Sequence, residues 1–218
     1  MKRAARTRAV LAAALAASII AGVAIASGGP SLLHPASLHA KAPATFSARF
    51  KTTKGTFVVK VTRSWAPKGA DRFYNLVRNH FYDNQPLFRV VRNFVVQWGI
   101  SMNPAIAKAW QNATIKDDRV RHSNTKWTIT FANAGNNSRT TQLFVNTVSN
   151  PQLDHYPGHF APFGVVTSGF SVFKRLYAGY GEGPSNNQSL LVAKGEHWVR
   201  KNYPKLDWIK TARLGHSS

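Results

Sequence analysis

Alternating apolar and polar residues recur in short runs along most of the chain. Residues 46–50 and 56–61 alternate on either side of Lys54-Gly55, which predicts a β-hairpin. Further short strands are predicted at residues 126–131, 142–148, 165–166, 190–192 and 206–214. A series of short strands separated by turn residues is typical of a mainly β protein, either a barrel or a sandwich.

Two segments have the spacing of amphipathic helices instead. In residues 68–80, positions i, i+3, i+4 and i+7 are Phe73, Leu76, Val77 and His80. A second helix is predicted from Val172, Phe173, Leu176 and Tyr177. Residues 100–125 are polar and irregular, and Asp117-Asp118 within them predicts a surface turn. An acid–base role is not expected there, because a loop does not fix the separation of adjacent carboxylates.

The central stretch, residues 86–99, reads PLFRVVRNFVVQWG and contains two apolar runs separated by Arg92-Asn93. This pattern predicts paired strands joined by a tight connection. Arg89 lies inside the first run, and a guanidinium among apolar residues must find partners or face a cleft, because burying it bare is very costly. A solvated Arg on an edge strand explains this run equally well.

A second stretch, residues 130–145, reads TFANAGNNSRTTQLFV: a strand, a loop rich in Gly, Asn and Ser, then another strand. Together with FRVV and FVVQ in the central stretch, it resembles the cyclophilin family of peptidyl-prolyl cis-trans isomerases. The resemblance covers residues 46–214 and depends on two separated motifs in the expected order.

The resemblance implies a closed eight-stranded antiparallel barrel capped by two helices, with a binding groove on its outer face. It also implies an active site, carried over by position. The catalytic residues would be Arg89 and Gln97. The substrate-binding residues would be Phe94, Val95, Ala132, Asn133, Gln142, Leu143, Phe144 and Leu153.

These residue types suit rotation of an X–Pro peptide bond. The reaction requires no nucleophile, so we expect no cofactor and no metal, and His34, His39 and His159 lack metal-ligand spacing. In the twisted transition state the prolyl nitrogen becomes basic, and a guanidinium donating to it would stabilise that state over the planar ground state. Arg89 is the candidate donor. Gln97 would hold it, and the substrate-binding set would grip the proline.

Several positions depart from the family pattern. Phe88 replaces a common His, Val95 a Met and Leu143 a Phe, while Phe160 falls near the position of a pocket His. Gln152 stands where many members have a Trp that contacts cyclosporin, which predicts weak inhibition by that drug. An active isomerase is favoured; the alternative is a catalytically weak, cyclophilin-like chaperone or peptide-binding module.

The amino-terminal residues predict export. Four cations precede an uncharged apolar run at residues 9–26, and Ala24-Ile25-Ala26 offers a cleavage site before Ser27. Residues 1–26 are therefore predicted to be a signal peptide or a membrane anchor, and the two alternatives stay open. Residues 27–44 are predicted to be a flexible linker, and residues 45–218 are predicted to form the isomerase domain. We expect an exported bacterial form that acts outside the cytoplasm, either periplasmic or secreted, with residues 9–26 as a membrane anchor if they are not cleaved.

The chain has 29 Lys+Arg against 8 Asp+Glu, a formal net charge of +21, and no cysteine. Disulfides and thiolate metal sites are excluded. The expected partners are proline-containing polypeptides, with weak contact to anionic polymers or a membrane surface as a further consequence of the charge. Few carboxylates also suit an acidic milieu, because few groups would protonate there. A monomer is expected.

Overall fold

The computed structural model describes residues 32–215, which form nine strands and four α-helices. The strands are β1 (Thr45–Thr52), β2 (Gly55–Thr62), β3 (Gln85–Pro86), β4 (Arg89–Val90), β5 (Val95–Trp98), β6 (Thr128–Phe131), β7 (Leu143–Asn146), β8 (Gly164–Ser168) and β9 (Trp208–Gly215). The helices are α1 (Pro67–Arg78), α2 (Pro104–Trp110), α3 (Phe170–Arg175) and α4 (Gln188–Asn202).

The strands form one curled antiparallel sheet in the order β3-β9-β1-β2-β8-β6-β7-β5-β4. The prediction of a mainly β fold is confirmed, but the closed eight-stranded barrel is wrong in strand number and in closure. Within residues 32–215, no ladder joins the edge strands β3 and β4. Each of these strands is two residues long, and only Leu87 and Phe88 separate them along the chain. The backbone itself therefore crosses the seam, which is the gap between the two edges of the curled sheet.

Strand alternation places an apolar core inside the curl. The predicted hairpin forms as β1 and β2, with Phe50 opposite Phe57 and their rings stacked at 4.9 Å between centroids. Phe73 from α1 packs against the same cluster, at 6.1 Å from Phe50. Helix α1 therefore covers this core as its spacing predicted. It ends at Arg78, and His80 lies beyond it with a positive φ of 61°.

Helices α2 and α4 differ from the sequence prediction. Residues 190–192 lie in α4 and not in a strand, and residues 104–110 of the polar stretch form α2. Helix α4 changes direction at Gly195, where φ is 64°. A Cβ there would approach the carbonyl oxygen of Met102 to 2.6 Å, so glycine permits α4 to lie this close to the start of α2.

A second apolar cluster joins α4 to the sheet. It contains Phe88, Leu191, Val199 and Trp208 among its buried members. Phe88 is fully buried, although it immediately precedes Arg89 at the seam of the sheet. These two adjacent residues therefore have different environments, since Phe88 is fully buried beneath α4 and Arg89 is partly buried on the outer side of the sheet.

Residues 32–44 lie against the helices, which differs from the flexible linker predicted over residues 27–44. The Asn75 side chain bonds both the N–H and the carbonyl of Ala40, and Asp71 accepts from the N–H of Ala42 at 2.8 Å. These bonds fix the backbone of residues 40–42 along α1.

The signal peptide or membrane anchor predicted at residues 1–26 lies outside the described residues. Within residues 32–215, no helix is both long and apolar enough to span a bilayer.

Candidate active site

The neighbouring strands β5 and β7 supply the floor of a groove on the outer face of the sheet. Gln97 pairs with Phe144 across the ladder. Because side chains alternate along a strand, Val95 and Gln97 share the outer face while Val96 and Trp98 enter the core. The predicted catalytic stretch therefore presents every second residue to the groove.

The groove has a volume of about 330 Å³. Eight of the predicted site residues line it: Arg89, Phe94, Val95, Gln97, Ala132, Asn133, Phe144 and Leu153. Four further residues complete the lining: Phe160, Ser185, Asn186 and Gln188. The fold thus brings together two motifs that are about 40 residues apart in the sequence, and it adds residues 185–188 from a different part of the chain.

Two predicted residues lie outside this groove. Gln142 lines an adjoining cavity of about 270 Å³, which also contacts Gln97 and Gln188. Leu143 is fully buried in the core of the sheet, so its predicted place in the proline pocket is corrected. The reason is the strand period: Leu143 and Val145 face inward, while Phe144 between them faces the groove.

Arg89 lies partly buried at the rim of the groove. Its guanidinium carbon is 5.4 Å from the ring centroid of Phe94. Nη1 donates to Oε1 of Gln97 at 3.0 Å. Nε and Nη2 donate to the two carboxylate oxygens of Glu182 at 2.7 and 2.8 Å. Arg89 lies on the edge strand β4, but its side chain is not simply solvated, because it is held on two sides and faces the groove.

The glutamines continue the hydrogen-bonded chain from Arg89. Gln97 donates from Nε2 to Oε1 of Gln142 at 2.8 Å, and Gln142 donates to Oε1 of Gln188 at the same distance. Gln97 is buried, so satisfying its amide on both sides matters energetically. The direction of donation is uniform, from Arg89 towards α4.

Glu182 was not among the predicted site residues. The hydrogen bond from Arg89 lowers the pKa of its carboxyl, burial opposes this, and a bond from Ser185 lowers it further. Glu182 lies in a loop rich in Gly, Pro and Asn, which sequence periodicity does not place. The one feature of the sequence that could have drawn attention to Glu182 is that glutamate is rare, since the chain contains just two, Glu182 and Glu196.

Asn133 and the region of Phe160 shape the far end of the groove. The Asn133 side chain accepts from the N–H of Gly135 and donates to the carbonyl of Gly158, each at 3.2 Å. Phe160 meets Phe144 edge to face at 5.6 Å. Gln152 is exposed, next to the groove residue Leu153.

In residues 32–215, no group of three or more His, Cys, Asp or Glu could hold a metal ion.

A curled antiparallel sheet with an arginine beside a partly aromatic groove on its outer face is the arrangement of the cyclophilin class. The comparison with protein families agrees. A model described as "Cyclophilin type peptidyl-prolyl cis-trans isomerase/CLD" matches residues 47–193. The chain belongs to this family, and the prediction of a peptidyl-prolyl cis-trans isomerase is confirmed at that level.

Individual relatives support the same assignment. A peptidyl-prolyl cis-trans isomerase of Schizosaccharomyces pombe is 31% identical over 134 residues, which are 60% of this chain and 84% of the relative. Peptidyl-prolyl cis-trans isomerase-like 1 of Gibberella zeae is 31% identical over 130 residues, 58% of this chain and 78% of the relative. These relatives are fungal and give no support to the predicted bacterial exported form.

A solved structure shows the same fold. The cyclophilin-type isomerase of Cryptosporidium parvum superposes with a TM-score of 0.60 at 17% sequence identity. The match covers 80% of this chain and 99% of that structure. At this identity the likeness concerns the fold, and the roles of individual side chains in this chain depend on their own geometry.

Proposed function

We propose that this protein accelerates cis–trans rotation of X–Pro bonds in extended polypeptide segments that bind across the groove. Arg89 acts as the donor to the prolyl nitrogen. The observation that carries the proposal is the position of the Arg89 guanidinium over Phe94, held by Gln97 at the edge of a groove that apolar and polar side chains line in equal number.

The donor count of Arg89 fits this role. A guanidinium has five N–H groups, and within the described residues three of them bond to Glu182 and Gln97. Two remain for a substrate. Rotation about the X–Pro amide faces a barrier of about 20 kcal/mol. A donor aimed at the nitrogen lowers it, because that nitrogen is a better acceptor in the twisted state than in the planar one.

The aromatic residues supply the proline pocket. Phe94, Phe144 and Phe160 line one groove, with Leu153 beside them. Apolar walls hold the pyrrolidine ring and exclude water, which strengthens the bond from Arg89 at the reacting amide. The backbone next to Asn133 is suited to pair with the extended segment, which fixes one side of the amide while the other rotates.

Replacing Arg89 by Ala tests this proposal. We expect kcat/KM for a proline-containing peptide to fall by about 10²–10³, the usual cost of removing one transition-state donor. Peptide affinity, measured by NMR titration, should change little. Arg92→Ala is the matched control, because Arg92 lies three residues away and bonds the carbonyls of Lys174 and Leu176, outside the groove.

A second candidate is the catalytically weak peptide-binding module. The observation in its favour is that Glu182 already occupies two donors of Arg89. This alternative predicts that wild type and Arg89→Ala both bind the peptide and that neither accelerates its isomerisation. Normal activity in Arg89→Ala would contradict the proposed mechanism.

We further propose that the clients are exported proteins and that the chain acts outside the cytoplasm. The support is the pattern of residues 1–26, a positive start followed by an apolar run and a small-residue cleavage site. We expect the chain from the extracytoplasmic fraction to begin at Ser27, as determined by mass spectrometry. Recovery of the full-length chain from membranes would favour the anchor, and recovery from the cytosol would contradict export.

A further inference from the structure

The segment from Glu182 to Gln188 holds both ends of a chain of side-chain hydrogen bonds that runs through the groove. At one end Glu182 bonds Arg89. At the other, Gln188 accepts from Gln142, which accepts from Gln97, which accepts from Arg89. One short piece of chain thus closes a ring of contacts around the proposed catalytic guanidinium.

Glu182 makes the strongest contact in this ring. Its two carboxylate oxygens lie 2.7 and 2.8 Å from Nε and Nη2 of Arg89, which is the bidentate geometry that fixes a guanidinium plane. The carboxylate is itself oriented, because Ser185 Oγ donates to Oε2 of Glu182 at 2.8 Å. The ion pair therefore fixes the orientation of the Arg89 guanidinium and also neutralises its charge.

The segment is anchored independently of Arg89. Helix α4 begins at Gln188, and Leu191 and Val199 on it belong to the buried cluster that contains Phe88. Phe88 directly precedes Arg89 in the chain. The backbone that carries Arg89 and the segment that carries Glu182 are thus held by the same apolar cluster, so their separation is fixed by packing.

We infer that Glu182 is a positioning residue for the isomerisation, an inference that rests on the proposed role of Arg89. Gln97 holds one nitrogen of the guanidinium, whereas Glu182 holds the opposite edge, and the two partners together fix its orientation. A preorganised donor costs no reorganisation when the amide twists. The donors that Glu182 uses are not the ones left for the substrate, so the ion pair orients Arg89 without blocking it.

Carboxylates are scarce in this chain, so the pairing of one of them with Arg89 supports a specific role for Glu182. With 29 Lys+Arg and 8 Asp+Glu, most cations have no carboxylate available to them. One of two glutamates is nevertheless paired with Arg89. The other, Glu196, pairs with Arg200 at 2.7 Å on α4 and also accepts from Asn84, and neither of these partners lines the groove. The two glutamates have similar side-chain exposure, 47% and 39%.

The test compares Glu182→Gln with Glu196→Gln in the full chain. For Glu182→Gln we expect kcat to fall about fivefold, in line with the modest value of a half-exposed ion pair, with peptide affinity unchanged. Glu196→Gln should match wild type in both. In ¹H–¹⁵N spectra, the Nε–H signal of Arg89 should move or broaden in Glu182→Gln, and thermal stability should remain within a few degrees of wild type.

A double variant separates this inference from the proposed function. If Arg89→Ala lowers kcat/KM by about 10²–10³ and leaves a measurable residual rate, adding Glu182→Gln should cause no further loss, because Glu182 acts through Arg89. If Arg89→Ala is impaired but turnover in Glu182→Gln is unchanged or faster, the positioning role is overturned. Faster turnover would identify Glu182 as a competitor for the donor. Full activity in Arg89→Ala would overturn the proposed donor role of Arg89, and with it the premise of this inference.

Discussion

Asp118 stabilises the start of α1, although it lies 50 residues further along the chain. Its carboxylate accepts from the N–H groups of Lys68 and Gly69, at 3.1 and 2.9 Å, in the first turn of the helix. The N-cap residue Ala66 has no side chain that could do this. Asp118 also pairs with Arg139, which is fully buried. The predicted surface turn is wrong for this residue, which is buried.

Removing the Asp118 side chain should destabilise the protein. Asp118→Ala takes away a helix cap and one of the two carboxylates that face the buried Arg139 guanidinium, the other being Asp117 at 3.4 Å. We expect the free energy of unfolding to fall by about 3 kcal/mol, the sum of a lost cap and a lost hydrogen bond between charged groups. Urea denaturation measures this. Glu196→Gln, which removes a carboxylate from an exposed pair, should cost less than about 0.5 kcal/mol. Equal losses in the two variants would contradict the assigned role.

At the scale of elements, the strands were predictable and the added helices were not. Alternation in residues 46–50 and 56–61 identifies β1 and β2, because one face of each is buried in the core. Residues 188–202 have a weaker pattern, since their apolar residues contact one small cluster and Gly195 changes the helix direction in the middle. A period of 3.6 residues does not persist across such a change.

The same reasoning explains which part of the site was predictable. Phe94, Val95, Gln97 and Phe144 belong to two motifs whose strands pair, so their place in the groove follows from the motifs and the resemblance. Leu143 was misplaced by one position, and a single step along a strand moves a side chain to the other face. Packing of α4 brings Gln188 to the groove and the preceding loop brings Glu182 to Arg89, and no local pattern in the sequence signals either contact.

At the scale of the whole molecule, few carboxylates are available to make stability depend on pH. Asp71 is one whose pKa is shifted. Burial raises it, but two bonds from Arg63, at 2.7 Å each, and one from the N–H of Ala42 outweigh burial, so the pKa is lowered overall. The pKa of Glu182 is lowered in the same direction by Arg89.

The sign of the pH dependence follows from these shifts. A carboxyl whose pKa is lower in the folded state stabilises the fold above its unfolded pKa, about 3.9 for Asp and 4.3 for Glu, and this stabilisation disappears as the pH falls through the folded-state pKa. We therefore expect these two groups to leave the free energy of unfolding nearly constant from about pH 7 to 5 and to lower it below about pH 4.

Urea denaturation at several pH values, with Asp71→Asn as the variant, checks this expectation. The variant should be less stable than wild type at pH 7 and should lose less stability between about pH 5 and 3. A steep loss between pH 7 and 5 would contradict the expectation, and with it the idea that few carboxylates suit this protein to an acidic milieu.

The burial of Phe88 beneath α4 limits how far this protein can be shortened. Deleting residues 188–202 would remove Leu191 and Val199 from the cluster and expose an aromatic ring next to Arg89. The truncated protein would expose an apolar patch beside its groove, and we expect it to self-associate through that patch. Engineering a minimal isomerase from this sequence therefore means redesigning position 88 together with the helix.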